Sequence, residues 1–155
     1  MIQIIESLKE KHLKIAFAES MTGGYLSECI TRHNGASRIF SGSIVAYTKD
    51  MKINILKVKS KTIDEKTVIS NEVATEMVLG LKKLIEADIY ISVTGNAGPT
   101  YDIGTNKFEC YIGYLFLDEF KIIHHIFENN DRLANIKKVE KLIEEEIKKS
   151  LSILW

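Results

Sequence analysis

The chain has 155 residues, 45% of them apolar and 27% charged, which suits one globular domain with a core of its own. Its 21 basic and 21 acidic side chains leave a formal net charge of zero, which excludes a general nucleic-acid or membrane-surface binder. No apolar run reaches membrane-spanning length, and the start Met1-Ile2-Gln3-Ile4-Ile5-Glu6 meets charge too soon for a signal peptide, so the expectation is a cytoplasmic protein.

Ile5 and Leu8, set among Glu6, Lys9 and Glu10, predict a first helix over residues 2–11. Lys14 to Ala18 reads as the first strand. The stretch Ala18-Glu19-Ser20-Met21-Thr22-Gly23-Gly24 is then a tight turn carrying a hydroxyl, launching a second helix that runs to His33 and ends at Asn34-Gly35. Ala36 to Phe40 reads as a short helical turn, Ser41 to Tyr47 as a strand of small and β-branched residues, and Asp50 to Leu56 as one or two helical turns. Lys57 to Lys61 reads as a basic connector, the four lysines between positions 52 and 61 forming a solvated face.

Ser70 is placed to cap a helix in which Val73, Met77, Leu81, Leu84 and Ile85 recur at helical spacing, up to Glu86. Asp88 to Thr94 is a strong strand. Residues 95–108 hold three glycines and the only proline, Pro99, and form a loop of the length that is usually functional. Tyr111 to Leu117 and Phe120 to Phe127 pair as a hairpin around Asp118-Glu119. Asp131 caps a last helix with the buried stripe Ile136, Val139, Ile143, Ile147 and Leu151, and Leu154-Trp155 is expected to dock or to form an interface. Helix-connected strands followed by a hairpin define a single α/β domain with a mixed sheet.

Chemistry is concentrated around Ser20. First-turn N–H groups of a helix lack intrahelical partners, and Gly23 and Gly24 let a ligand approach that backbone closely, so Ser20 sits where an anion, a phosphate or a developing oxyanion could be held. Taken alone, the simpler reading is that Ser20 or Thr22 caps the helix. No metal site is apparent: His124 and His125 are adjacent on a strand and point to opposite faces. Cys29 and Cys110 form no CxxC pair, and no GxGxxG, phosphate-loop, GxSxG or SxxK pattern occurs. A serine can instead be activated by a lysine whose pKa is lowered by burial or a neighbouring cation. Lys52, five residues after Tyr47, is the candidate, with Tyr47 to orient the amine or relay a proton; a surface role for Lys52 is the plainer alternative. Thr94-Gly95-Asn96-Ala97-Gly98-Pro99 places small residues beyond a strand, where open α/β sheets bind ligands.

Together these segments resemble the C-terminal domain of the CinA family of competence- and damage-inducible proteins, a domain also found alone as nicotinamide-nucleotide amidase. Ala18 to Gly24 is similar to that family's Ala-Glu-Ser-Cys-Thr-Gly-Gly, with Met21 in place of Cys. Gly35-Ala36-Ser37, Gly42 to Tyr47 and Lys52 fall on its next segments in order, and Ser70-Asn71-Glu72-Val73-Ala74 resembles its Val-Ser-Glu-Glu-Val-Ala. Val93 to Pro99 resembles its Thr-Gly-Ile-Ala-Gly-Pro, with Asn96 in place of Ile, and Asn130-Asp131-Arg132 its Gly-Asp-Arg. The resemblance implies a three-layer α/β/α fold and hydrolysis of nicotinamide mononucleotide to nicotinate mononucleotide and ammonia. It implies Ser20 as nucleophile, Lys52 as base and acid, and Tyr47 assisting. Thr22, Gly23 and Gly24 become oxyanion or phosphate ligands, and Thr94, Gly95, Asn96, Ala97, Gly98 and Arg132 substrate ligands. No cofactor or metal is required, the expected partner is a small nucleotide substrate, and a homodimer is expected. Thr100 to Phe108 is poorer in glycine than the family's stretch, which leaves as alternatives a silent nucleotide-binding module or an amidase for another small amide.

Overall fold

In the computed structural model, which describes residues 1–102 and 104–154, the chain runs α1 (Ile2–Glu10), β1 (Ile15–Glu19), α2 (Tyr25–Thr31), a single 3₁₀ turn (Ala36–Arg38), β2 (Phe40–Val45) and α3 (Lys49–Asn54). It continues through α4 (Ser60–Lys66), α5 (Asn71–Leu84), β3 (Ile89–Asn96), β4 (Glu109–Phe116), β5 (Glu119–Ile126) and α6 (Arg132–Ser152). The strands form one five-stranded sheet in the order β2-β1-β3-β4-β5. β1 pairs in parallel with both β2 and β3, whereas β4 and β5 add on as antiparallel strands. Helical crossovers link the parallel part, because parallel neighbours cannot be joined by a tight turn.

The alternation of side chains along the strands divides the core into two. Ile15 and Phe17 of β1 join Ile4 and Leu8 of α1, Leu26 and Ile30 of α2, and Val139, Ile143 and Ile147 of α6 on one face. Ala16 and Ala18 join Val73, Met77, Val78 and Leu81 of α5, with Leu56, Val58 and Ile63, on the other. The result is the expected mixed-sheet sandwich between two helical layers. Close approach on the α5 side depends on missing side chains. A Cβ on Gly113 would lie 2.8 Å from the Ala74 carbonyl oxygen, and the Ser92 hydroxyl instead donates to that carbonyl at 2.6 Å. A Cβ on Gly80 would lie 1.9 Å from the Leu56 carbonyl oxygen.

Both expected caps form: Ser70 accepts from the Val73 N–H at 3.2 Å and Asp131 from the Ala134 N–H at 3.0 Å. Four features differ from expectation. The basic connector leads into an additional helix, α4, which turns Ile63 into the core and leaves Lys59 and Lys61 outside. Lys52 leaves the solvated face altogether and is 1% exposed. β3 continues through Gly95 and Asn96, and the hairpin turns at Leu117-Asp118, with Leu117 at φ 53°. α2 starts at Tyr25, directly after Gly23 and Gly24, which hold positive φ in the turn before it and so agree with the sequence reading. Leu154 is partly exposed, and the expected role of Trp155 lies outside the described residues.

Candidate active site

β1, β2 and β3 point their carboxyl ends in one direction, and the crevice beyond those ends is where such sheets hold ligands. Ser20 follows β1 directly, and its N–H donates to the Val93 carbonyl at 3.1 Å, which pins the start of the turn to β3. The Gly23 N–H donates back to the Ser20 carbonyl at 3.0 Å. Glu19, fully buried at the end of β1, accepts hydrogen bonds from the Thr22 hydroxyl (2.7 Å) and the Gly24 (3.0 Å) and Leu26 (3.1 Å) N–H groups on one oxygen. On the other it accepts from the N–H (3.0 Å) and hydroxyl (2.6 Å) of Ser27. The α2 N-terminus is therefore filled from within. Gly23 and Gly24, expected as anion ligands, spend their N–H groups inside the chain, and Thr22 spends its hydroxyl there. Among the described residues, the Met21 and Thr22 N–H groups of this turn have no partner.

Lys52 is carried by α3, which Thr48 starts by accepting a hydrogen bond from the Met51 N–H at 3.2 Å. Its Nζ lies 2.7 Å from Ser20 Oγ and donates to the carbonyls of Ala46 at 2.9 Å and Tyr47 at 3.3 Å. An amine has room for three such partners. With two carbonyls fixing two N–H bonds, the third position faces the serine: a proton there in the ammonium form, a lone pair in the neutral amine. Among the described residues no carboxylate pairs with Lys52, and burial lowers its pKa from 10.5 to about 8.

Tyr47 serves Lys52 through its main chain. Its hydroxyl, on a side chain 54% exposed, accepts instead from Arg132 Nη2 at 3.1 Å, while Arg132 Nη1 donates to the Gly98 carbonyl at 2.7 Å. Arg132, the first residue of α6, thus ties Gly98, just beyond β3, to Tyr47 in the link between β2 and α3.

A cavity of about 480 Å³ opens over this group, with Ser20, Lys52, Tyr47, Thr94, Asn96 and Arg132 in its wall. Gly95 also lines it, and a Cβ there would lie 2.5 Å from Met21 Sδ. Asn96 organises the loop beyond β3: its amide donates to the Thr100 carbonyl at 2.8 Å and its oxygen accepts from the Gly98 N–H at 2.8 Å. The Thr94 hydroxyl donates to the Val68 carbonyl at 2.9 Å. Ala97 and Gly98 stand behind the wall. The Ala97 carbonyl accepts from buried Asn135 at 3.0 Å, and a Cβ on Gly98 would lie 2.8 Å from the Asn130 carbonyl oxygen.

Sequence reading missed Glu19, Asn135 and the wall residues Lys49, Thr67, Val68, Ile69, Asp102 and Thr105. An acidic residue directly before the candidate serine was the only signal for the first, and none marked the rest. Among the described residues no group of three or more His, Cys, Asp or Glu side chains is arranged to hold a metal. No helix among them is long and apolar enough to cross a membrane.

A mixed five-stranded α/β domain with a buried serine–lysine pair at the carboxyl ends of its parallel strands narrows the class considerably. The chain belongs to the CinA C-terminal domain family, which it matches over residues 1–150. A Bacillus subtilis relative of the competence-damage inducible type is 47% identical over 105 residues, covering 68% of this chain and 25% of that protein. A CinA-like protein of Petrotoga mobilis is 37% identical over 131 residues, covering 81% of this chain and 32% of its own length. The chain therefore spans about a quarter to a third of the length of these curated relatives. Among solved structures, a CinA superfamily protein from Klebsiella pneumoniae superposes with a TM-score of 0.90 at 22% identity, over 97% of this chain and 94% of the other, a likeness of fold.

Proposed function

We propose that this domain is a serine–lysine amidohydrolase that converts nicotinamide mononucleotide to nicotinate mononucleotide and ammonia. The observation that carries the reading is the 2.7 Å contact between Ser20 Oγ and a Lys52 amine held by two carbonyls and no counter-ion among the described residues. Hydrogen-bond distance is the first requirement of a general base, and a pKa near the working pH is the second.

In this reading neutral Lys52 takes the Ser20 proton as Oγ attacks the carboxamide carbon. The C=O π pair moves onto oxygen, and the Met21 and Thr22 N–H groups receive that charge. Lys52 then gives its proton to the amide nitrogen, the C–N bond breaks, and ammonia leaves an ester on Ser20. Water, deprotonated by the same amine, attacks the ester, and Ser20 regains its proton as the carboxylate product departs. The nucleotide phosphate is assigned to Arg132, which lines the cavity.

The family match and the cavity size support the reading, since a pocket of several hundred Å³ suits a mononucleotide. Ammonia release from nicotinamide mononucleotide by wild type, Ser20→Ala and Lys52→Ala tests it. Ligand-dependent melting without turnover favours instead a binding module of the same fold.

A further inference from the structure

We propose that Glu19 is a positioning residue for the Ser20 nucleophile: its buried carboxylate locks the turn that aims Ser20 at Lys52 and closes the α2 N-terminus to the substrate. This rests on the reading of Ser20 as the nucleophile. Glu19 shares the face of β1 that carries Ile15 and Phe17, so its side chain runs under α2 instead of out to solvent. It is 0% exposed, and among the described residues no cation pairs with it. A carboxylate in such a place is tolerated only where donors surround it. Here five do so: three N–H groups and two hydroxyls, all from Thr22, Gly24, Leu26 and Ser27.

An ordinary helix start is capped from the residue before its first turn. The N-cap of α2 is Gly24, which has no side chain to offer, and the cap comes from the preceding strand instead. Ser20 lies between the strand that holds Glu19 and the turn that Glu19 binds. Its position is thereby fixed from both sides, with the Val93 contact as the third restraint. A second consequence concerns the substrate. A helix N-terminus ordinarily attracts a phosphate, but this one already holds an acidic group. The phosphate is therefore directed away from the Ser20 turn towards Arg132, and the carboxamide is left at Ser20.

Glu19→Gln keeps the shape and removes one acceptor. In either amide orientation its NH₂ group meets donors: Thr22, Gly24 and Leu26 on one side, Ser27 on the other. The expected result is a folded protein whose kcat for nicotinamide mononucleotide falls about 100-fold or more while KM stays within about threefold, as for a small misplacement of the nucleophile. Its crystal structure should show Ser20 Oγ and Lys52 Nζ beyond hydrogen-bond reach. Ser27→Ala, which removes one of the five donors to Glu19 together with the Ser27–Ser43 hydroxyl contact, should lower kcat by about three- to tenfold, and Ser43→Ala, which removes only the latter, should leave it within about twofold. A lower melting temperature with unchanged kcat, or an unchanged Ser20–Lys52 contact, would overturn the proposal. If Glu19→Gln does not fold, Ser27→Ala decides by the same two readouts. If the wild type does not turn over this nucleotide, the substrate reading fails by itself and the Ser20–Lys52 separation in the variant structures still decides the role of Glu19.

Discussion

Lys52 Nζ stands 2.7 Å from Ser20 Oγ, although the two residues are 32 positions apart and come from different layers of the fold. The parallel pairing of β1 with β2 makes the contact. It sets the end of β1 beside the end of β2, and α3 then folds Lys52 back over the Ala46 and Tyr47 carbonyls. The chemistry proposed here depends on that geometry and on the burial that lowers the amine's pKa to about 8.

Turnover should rise with pH and level off above the Lys52 pKa of about 8, because only the neutral amine accepts the serine proton. Lys52→Arg, which retains a permanent cation, should lose about 1000-fold or more of kcat. A profile that stays flat between about pH 6 and pH 9 contradicts the assignment of Lys52 as base.

The same burial affects stability. The folded chain releases the Lys52 proton near pH 8 and the unfolded chain near 10.5, so between these values the unfolded state binds more protons and stability rises with pH. Below that window the buried ammonium costs about 3 kcal/mol, reduced by its hydrogen bonds to the two carbonyls. Lys52→Met should therefore be inactive yet gain about 1–2 kcal/mol at pH 7, with the advantage shrinking as pH approaches 10. Urea unfolding at the two pH values measures this, and an advantage that grows with pH would contradict it.

Tyr47 and Arg132 should separate binding from chemistry. Tyr47→Phe leaves the carbonyl that holds Lys52 in place and removes only the hydroxyl that Arg132 contacts. Its kcat should change by less than about fivefold, whereas Arg132→Ala should raise KM by about tenfold or more through loss of a charge-assisted contact. A drop in kcat of about 100-fold in Tyr47→Phe would instead make the hydroxyl a proton relay.

Gly80→Ala tests the packing of α5. Alanine normally improves a helix interior by about 1 kcal/mol. Here its methyl group meets the Leu56 carbonyl, and the variant should lose about 2–4 kcal/mol. Thermal unfolding of the two proteins gives the sign directly.

Much of this was legible from local pattern. Alternation marked the strands, Ser70 and Asp131 marked two helix starts, and the small residues around Ser20 and Gly95 marked the crevice. What stayed hidden depends on partners far along the chain. Lys52 sits in a lysine-rich stretch whose other members are exposed, and only the fold buries it. α4 offers a single buried residue, Ile63, too little for a helical period to show. The Tyr47 hydroxyl meets Arg132, 85 positions away, and not the Lys52 amine. Glu19 could be read as one more residue of a turn until its five donors came together around it.

The most direct measurement is ammonia release from nicotinamide mononucleotide by the purified wild type beside Ser20→Ala and Lys52→Ala. The account predicts turnover in the wild type and its loss in both variants while each remains folded. Turnover that survives Ser20→Ala, or a folded wild type that releases no ammonia, would contradict it.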